Sequence, residues 1–147
     1  KINHQKESER MKTIIVYYSF SGKTKKYAHE LAAKENADVF SLKAEKPRSV
    51  LGAFLVGAPA AMRRKSARIG TLGFGFEEYD KIILAAPIWA GYPAPAFNSA
   101  VQLLPEGKQV ELHFTSGSGD SSKSAQGTKD LIAGRGCELL AYIDVKL

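Results

Sequence analysis

The sequence predicts an α/β domain built on a parallel sheet with helices on both faces, and three observations carry that prediction. Residues 13–18 (TIIVYY) and 81–86 (KIILAA) are continuous apolar runs without alternation, as strands buried on both faces are. Stretches of helical periodicity stand between these runs and the later strand-like ones. The first run also empties into a short polar loop with a single glycine, where a helix opens.

In chain order, residues 1–10 have no periodicity and read as a leader or flexible arm ahead of a domain over 11–147. Strand 1 covers 13–18. A helix follows over 25–34, with Tyr27, Ala28, Leu31 and Ala32 on one face and Glu30 paired to Lys34 at i,i+4. Residues 39–42 are a short strand 2. Strand 3 covers 81–86 and is expected to stop at Pro87. Pro95 suits the first turn of the next helix, whose Phe97, Ala100, Val101 and Leu104 share a face. Strand 4 covers 109–115, a weaker helix 121–133 carries Gly127 inside it, and strand 5 covers 137–145. Strands 4 and 5 alternate apolar with polar residues (Val110, Leu112 and Phe114 against Glu111 and His113), which places them toward a sheet edge. Residues 43–76 fit least well. Within them, 50–62 is apolar but broken by Gly52, Gly57 and Pro59, and is expected as an irregular helix or two beside a ligand site.

Composition bounds the function. At 147 residues, 44% hydrophobic and 24% charged, the chain has the make-up of one globular domain rather than of a disordered segment. No apolar run approaches the roughly 18 residues of a membrane span. One cysteine, Cys137, excludes an intramolecular disulfide and multi-cysteine metal sites, and reads as a small buried apolar group. A soluble, cytoplasmic protein is the expectation. The formal net charge is +6, and residues 43–68 alone hold seven basic residues (Lys43, Lys46, Arg48, Arg63, Arg64, Lys65, Arg68) against Glu45. Such a patch suits an anionic cofactor, an acidic partner or a membrane surface, or is merely a solvated flank. Nucleic acid is not expected, because no aromatic or helical readout element accompanies it.

The loop Ser19-Phe20-Ser21-Gly22-Lys23-Thr24 offers hydroxyls, a lysine and close backbone approach at a helix start, the ingredients of an anion site. A nucleotide-triphosphatase P-loop would need glycine at position 17, which is Tyr17. A dinucleotide fingerprint needs more glycines, and a phosphoacceptor would need acids at the end of strand 1. A plain capped turn remains the structural alternative.

Ser19-x-Ser21-Gly22-x-Thr24 resembles the flavodoxin phosphate loop, [ST]-x-[ST]-G-x-T. Residues 87–95 (PIWAGYPAP) and 115–120 (TSGSGD) are similar to the two loops that flank the flavin ring in short members of that family, and the three motifs occur in family order. The resemblance implies a flavodoxin-like three-layer sandwich with strand order 2-1-3-4-5, and noncovalent FMN at the switch point between strands 1 and 3. It implies phosphate contacts from Ser19, Ser21, Gly22 and Thr24, with Lys23 nearby. Ring contacts would come from Pro87, Ile88, Trp89, Ala90, Gly91 and Tyr92, with Trp89 against the flavin. On the other side stand Thr115, Ser116, Gly117, Gly119 and Asp120. The chain departs from electron-carrier members in three ways. Its second ring loop has no aromatic, its charge is basic, and it stops just past strand 5, where the family adds a final helix.

These departures lean the expected function toward a flavin oxidoreductase with NAD(P)H as donor and a quinone-type flat acceptor. Lys23 and the 63–68 cluster would stabilise a reduced, anionic flavin, and an open ring face would admit the acceptor. Two alternatives stand beside it. One is a one-electron carrier serving a redox partner protein, with a backbone flip at Ala90 or Gly91. The other is an interaction module that has lost the cofactor. No side chain is assigned as catalytic: His29, His113 and Ser118 read as structural, no metal site is expected, and a homodimer is left open. The basic segment reads either as a flap over the flavin or as a docking surface.

Overall fold

The computed structural model describes residues 11–44 and 50–147. The arm expected over 1–10, and Glu45, Lys46 and Arg48 of the basic segment, lie outside the described residues. Strands β1 (Thr13–Tyr17), β2 (Asp38–Ser41) and β3 (Lys81–Trp89) are followed by a two-residue β4 (Tyr92–Pro93), then β5 (Gln109–Ser116) and β6 (Glu138–Lys146). The parallel sheet runs β2-β1-β3-β5-β6, with β4 folded back antiparallel on the end of β3. This is the order the sequence resemblance implies, β4 being an addition to it.

Register decides which residues share a face. Ile14 lies opposite Ile82 and Ile15 opposite Ile83, so alternate residues of both strands point the same way. Ile14, Val16, Ile82, Leu84, Val110, Leu112 and Phe114 pack with Phe97, Ala100, Val101, Leu104 and Ile132. Those partners belong to α4 (Pro95–Val101), its trailing turn and α5 (Ser122–Gly134). Ile15, Tyr17, Ile83 and Ala85 point the other way, onto Ala28 and Ala32 of α1 (Lys23–Glu35). Burying a side chain of this size contributes roughly 1.5–3 kcal/mol, so these two layers supply most of what holds the strands in place.

Helix α1 begins at Lys23, two residues before the expected start. Gly22, at φ 96°, makes the left-handed turn that lets the chain leave β1 and enter the helix at once. Asn36, at φ 52°, closes the helix. Residues 50–62 form the irregular element expected: α2 (Val50–Gly52), a π turn (Ala53–Gly57) and α3 (Ala58–Met62).

β5 lies one strand in from the edge, and its polar residues have another cause besides edge position. Glu111 and His113 face the α1 layer. The Tyr27 hydroxyl lies 2.6 Å from Nδ1 of His113, whose Nε2 lies 2.9 Å from the Glu111 carboxylate. Lys81 Nζ reaches the other Glu111 oxygen at 2.5 Å. With Glu111 accepting from Nε2–H, Nδ1 accepts from the tyrosine. Burial alone would push the Glu111 carboxyl up, but hydrogen bonds from His113 and Lys81 outweigh it and hold the group below its ordinary range. His113 thus has both ring nitrogens engaged inside the sheet, and Glu111 both carboxylate oxygens.

The Tyr79 hydroxyl donates to Asp38 Oδ2 at 2.7 Å, tying the start of β3 to β2. Burial and that bond push its pKa up to about 12. The native state then holds a proton that the unfolded chain, at the ordinary value of 10.0, gives up. Stability on this account is fully present below pH 10 and falls as pH rises toward 12. Tyr79→Phe is expected to cost about 1 kcal/mol at pH 7 and to flatten that alkaline decline. Urea unfolding at pH 7 and across pH 10–12 checks both, Lys81 contributing equally to wild type and variant.

Candidate functional site: a cleft over the carboxyl ends of β1, β3 and β5

The three loops singled out in the sequence leave the carboxyl ends of β1, β3 and β5, which are adjacent in the sheet. They enclose a cleft of about 170 Å³ walled by Ser21, Lys23, Thr24, Pro87, Ile88, Trp89, Thr115, Ser116 and Gly117. Phe20 and Leu147 complete the wall.

Its floor is the start of α1. The first bond of the helical type, Lys26 N–H to Gly22 O at 3.1 Å, leaves the N–H groups of Lys23, Thr24 and Lys25 beyond the reach of the helix ladder. The first turn contains no acid and begins with lysine. Backbone dipole and side-chain charge thus have the same sign there. Thr24 is buried and its Oγ1 lies 2.8 Å from Oγ1 of Thr115, which locks the floor to β5. A Cβ placed on Gly22 would meet nothing within 4 Å, so the space above it is open. Ser19 is set back from the cleft: it is buried, and its Oγ accepts the Gly22 N–H at 3.0 Å. It shapes the loop rather than lining it.

One wall is Trp89. Strand β3 runs past Pro87 to Trp89 instead of stopping, because the chain reverses at Ala90 and Gly91 and pairs Trp89 with Tyr92. Both turn residues have positive φ, 52° and 88°, the conformation that a two-residue hairpin demands. The Trp89 ring meets Tyr18 and Phe20 edge-on, each with centroids 6.0 Å apart. A Cβ on Gly57 would come within 2.7 Å of the same ring, so the π turn backs directly onto Trp89. This is the packing beside the site that the broken apolar stretch suggested.

The opposite wall is the Ser116–Gly117 loop. Gly117 has nothing within 4 Å of a would-be Cβ, and the loop brings no aromatic ring. The loop is braced from within, Gly119 N–H donating to Ser116 Oγ at 2.9 Å.

The remaining expected contacts lie outside the wall of the cleft. Asp120 is exposed; the Ser122 N–H, donating to it at 2.8 Å, holds its carboxyl below the ordinary range and makes it a cap on α5. Gly119, at φ 69°, is covered by Lys146. Ala90 is exposed at the hairpin tip. The Gly91 carbonyl accepts from Ser124 Oγ at 2.6 Å. The Tyr92 ring lies between Arg64, 5.2 Å from its centroid, and Lys123, 5.8 Å away. Phe20, which the sequence reading passed over, had one visible signal: an aromatic side chain in an otherwise polar loop. Leu147 had none.

The basic segment is divided in two. Arg64 is half-buried, donating to Thr128 Oγ1 and the Ser124 carbonyl, both at 2.9 Å. Arg63, Lys65 and Arg68 stay exposed.

A parallel sheet in this order, with a carboxylate-free helix start beneath a cleft at its switch point, defines a flavodoxin-like α/β protein. The flavodoxin family model matches residues 12–134, and the chain belongs to that family. A flavoprotein from Lactobacillus acidophilus NCFM, solved in complex with FMN, is 20% identical with a TM-score of 0.70 over 90% of this chain and 92% of that one. A flavoprotein from Bacteroides uniformis is also 20% identical, with a TM-score of 0.74 over 91% and 90%. Flavodoxin 1 from Bacillus cereus is 16% identical, with a TM-score of 0.51 over 92% and 86%. At these identities the likeness establishes a common fold. No curated protein matches the chain.

Proposed function

We propose that the chain binds FMN in this cleft and acts as a flavin oxidoreductase that delivers electron pairs to a flat, quinone-type acceptor. The observation that carries the FMN assignment is the meeting of all three motif loops around one cleft whose floor is a helix start without an acid. The donors fit the cofactor. Ser21, Lys23, Thr24 and the first N–H groups of α1 would hold the terminal phosphate. Trp89 would lie along one side of the ring, with Thr115, Ser116 and Gly117 opposite. Bound FMN would supply the redox chemistry, with a nicotinamide cofactor as hydride donor.

Two features support paired rather than single electrons. Lys23 lines the cleft, which favours an anionic reduced ring over a neutral one. The Gly91 carbonyl is held by Ser124 Oγ at 2.6 Å, so the Gly91–Tyr92 peptide does not turn without breaking that bond. The open Gly117 side leaves a path by which a flat acceptor reaches the cofactor.

Titrating FMN with apoprotein tests the first part: its fluorescence is expected to quench saturably at 1:1. Stepwise reduction of the complex with dithionite tests the second. The spectrum is expected to pass directly from oxidised to fully reduced, and a dominant one-electron species would assign the chain as a carrier. Failure to quench would leave an interaction module on a flavodoxin fold.

A further inference from the structure

We propose that the outer face of residues 51–62, with the cations that follow it, docks on an anionic lipid surface. Leu51, Leu55, Val56 and Met62 are 66%, 67%, 73% and 48% exposed, a high concentration of bare apolar side chains for one short stretch. Among the described residues of this stretch, those that face inward are small: Ala61 is buried, and Gly57 lies against Trp89. Among the described side chains, the element thus turns small residues inward and four large aliphatic ones outward, the reverse of a helix that covers a core. Pro59 is exposed as well, and no charged or hydrogen-bonding side chain interrupts the sequence from 51 to 62.

Cations stand directly beside this apolar face. Arg63 and Lys65 follow Met62, and Arg68 lies three residues on; all three are exposed. They are held in place by backbone anchoring. Asn98 Nδ2 donates to the Lys65 carbonyl at 3.0 Å, and Ser99 Oγ donates to the Ala67 carbonyl at 2.6 Å while accepting the Ala67 N–H at 2.8 Å. Gln102 Nε2 donates to Ser66 Oγ at 2.8 Å. The 65–67 backbone is therefore pinned along α4, leaving the basic side chains outside.

Bare aliphatic side chains bordered by exposed cations fit a bilayer interface, where acyl chains take the first and anionic headgroups the second. An acidic protein would match the charges but offers no reason for four large aliphatic residues with no polar group among them. Because the π turn backs onto Trp89, the docked face lies directly behind the cleft wall. If the flavin reading also holds, docking brings the cofactor close to lipid-dissolved acceptors.

The test is co-sedimentation of the full chain with vesicles of phosphatidylcholine containing phosphatidylglycerol, against vesicles of phosphatidylcholine alone. Binding is expected to the anionic vesicles only, and to weaken as salt rises. Leu55→Glu with Val56→Glu, and separately Arg63→Glu with Lys65→Glu and Arg68→Glu, are each expected to lower it at least about tenfold. These side chains are exposed, and unchanged thermal unfolding verifies that the variants fold. The wild-type comparison stands without any variant. No binding to anionic vesicles overturns the proposal. So does equal binding by the Leu55→Glu, Val56→Glu protein, together with equal retention on polyglutamate, which would point to an acidic protein partner. The assay needs no cofactor. A protein that sediments but leaves FMN fluorescence unquenched refutes the flavin reading and supports this one.

Discussion

Ser21→Asp is expected to lower FMN affinity by about 100-fold or more while leaving the protein as stable as before, or slightly more so. Ser21 is exposed in the cleft wall immediately before Gly22, at the mouth of α1. A carboxylate there would occupy the field that the helix start and Lys23 present to a phosphate carrying about two negative charges. Like charges brought together in a binding site cost several kcal/mol, and each 1.4 kcal/mol is a factor of ten. The same carboxylate interacts favourably with the helix end, contributing roughly 0.3–1 kcal/mol to folding. The two effects have opposite signs, which separates loss of a phosphate site from general damage. Ser21→Ala should weaken FMN only about tenfold, in keeping with one charge-assisted hydrogen bond of roughly 1.5–3 kcal/mol partly replaced by water. Riboflavin has the ring without the phosphate, so wild type and Ser21→Asp should bind it alike. Equal FMN binding by the two proteins would place the phosphate elsewhere.

The sheet was legible because its central strands are too apolar to be anything else: every residue from Ile14 to Tyr17 and from Ile82 to Ala86 is buried. The site was legible in outline because its three walls are loops with distinctive residues. Other details depend on strand pairing and backbone geometry that residue types alone do not show. Pro87 signals a strand end locally, yet β3 continues, because β5 pairs alongside as far as Thr115 and the 90–91 turn supplies β4. Ser19 and Asp120 have the right residue types for cofactor contacts, but the backbone claims both, at Gly22 and Ser122. Glu111 and His113 put β5 toward an edge, where it lies one strand in, but Tyr27 and Lys81 also satisfy them inside the sheet. Gly127 read as a flaw in a weak helix. A Cβ there would stand 2.7 Å from the Arg64 guanidinium, so glycine is what lets that side chain lie against α5.

Arg64 carries the last expectation, since composition placed it in a surface patch and the structure makes it a tie between elements. Its backbone adopts φ 51°, an uncommon conformation for a residue with a side chain, at the end of α3. From there the guanidinium crosses Tyr92 to reach Ser124 and Thr128. One side chain thus joins the 58–64 segment, the hairpin beside the cleft and the first turns of α5. Arg64→Ala removes two hydrogen bonds from a charged donor and a cation–π contact, and leaves a gap at Gly127. Such bonds contribute roughly 1.5–3 kcal/mol each when one partner is charged; half-burial here lowers that, and a net loss of about 2–4 kcal/mol is expected. For a chain of this length the melting temperature should fall by roughly 5–15 °C. Arg64→Lys should recover little, because an ammonium cannot address Thr128 Oγ1 and the Ser124 carbonyl with a planar fork while lying over Tyr92. Arg63→Ala, its exposed neighbour, should change stability by less than about 0.5 kcal/mol. Calorimetry on the three variants checks the contrast. If Arg63 and Arg64 behave alike, the guanidinium is a solvated charge, and the hairpin is held by its pairing to β3 and by Ser124.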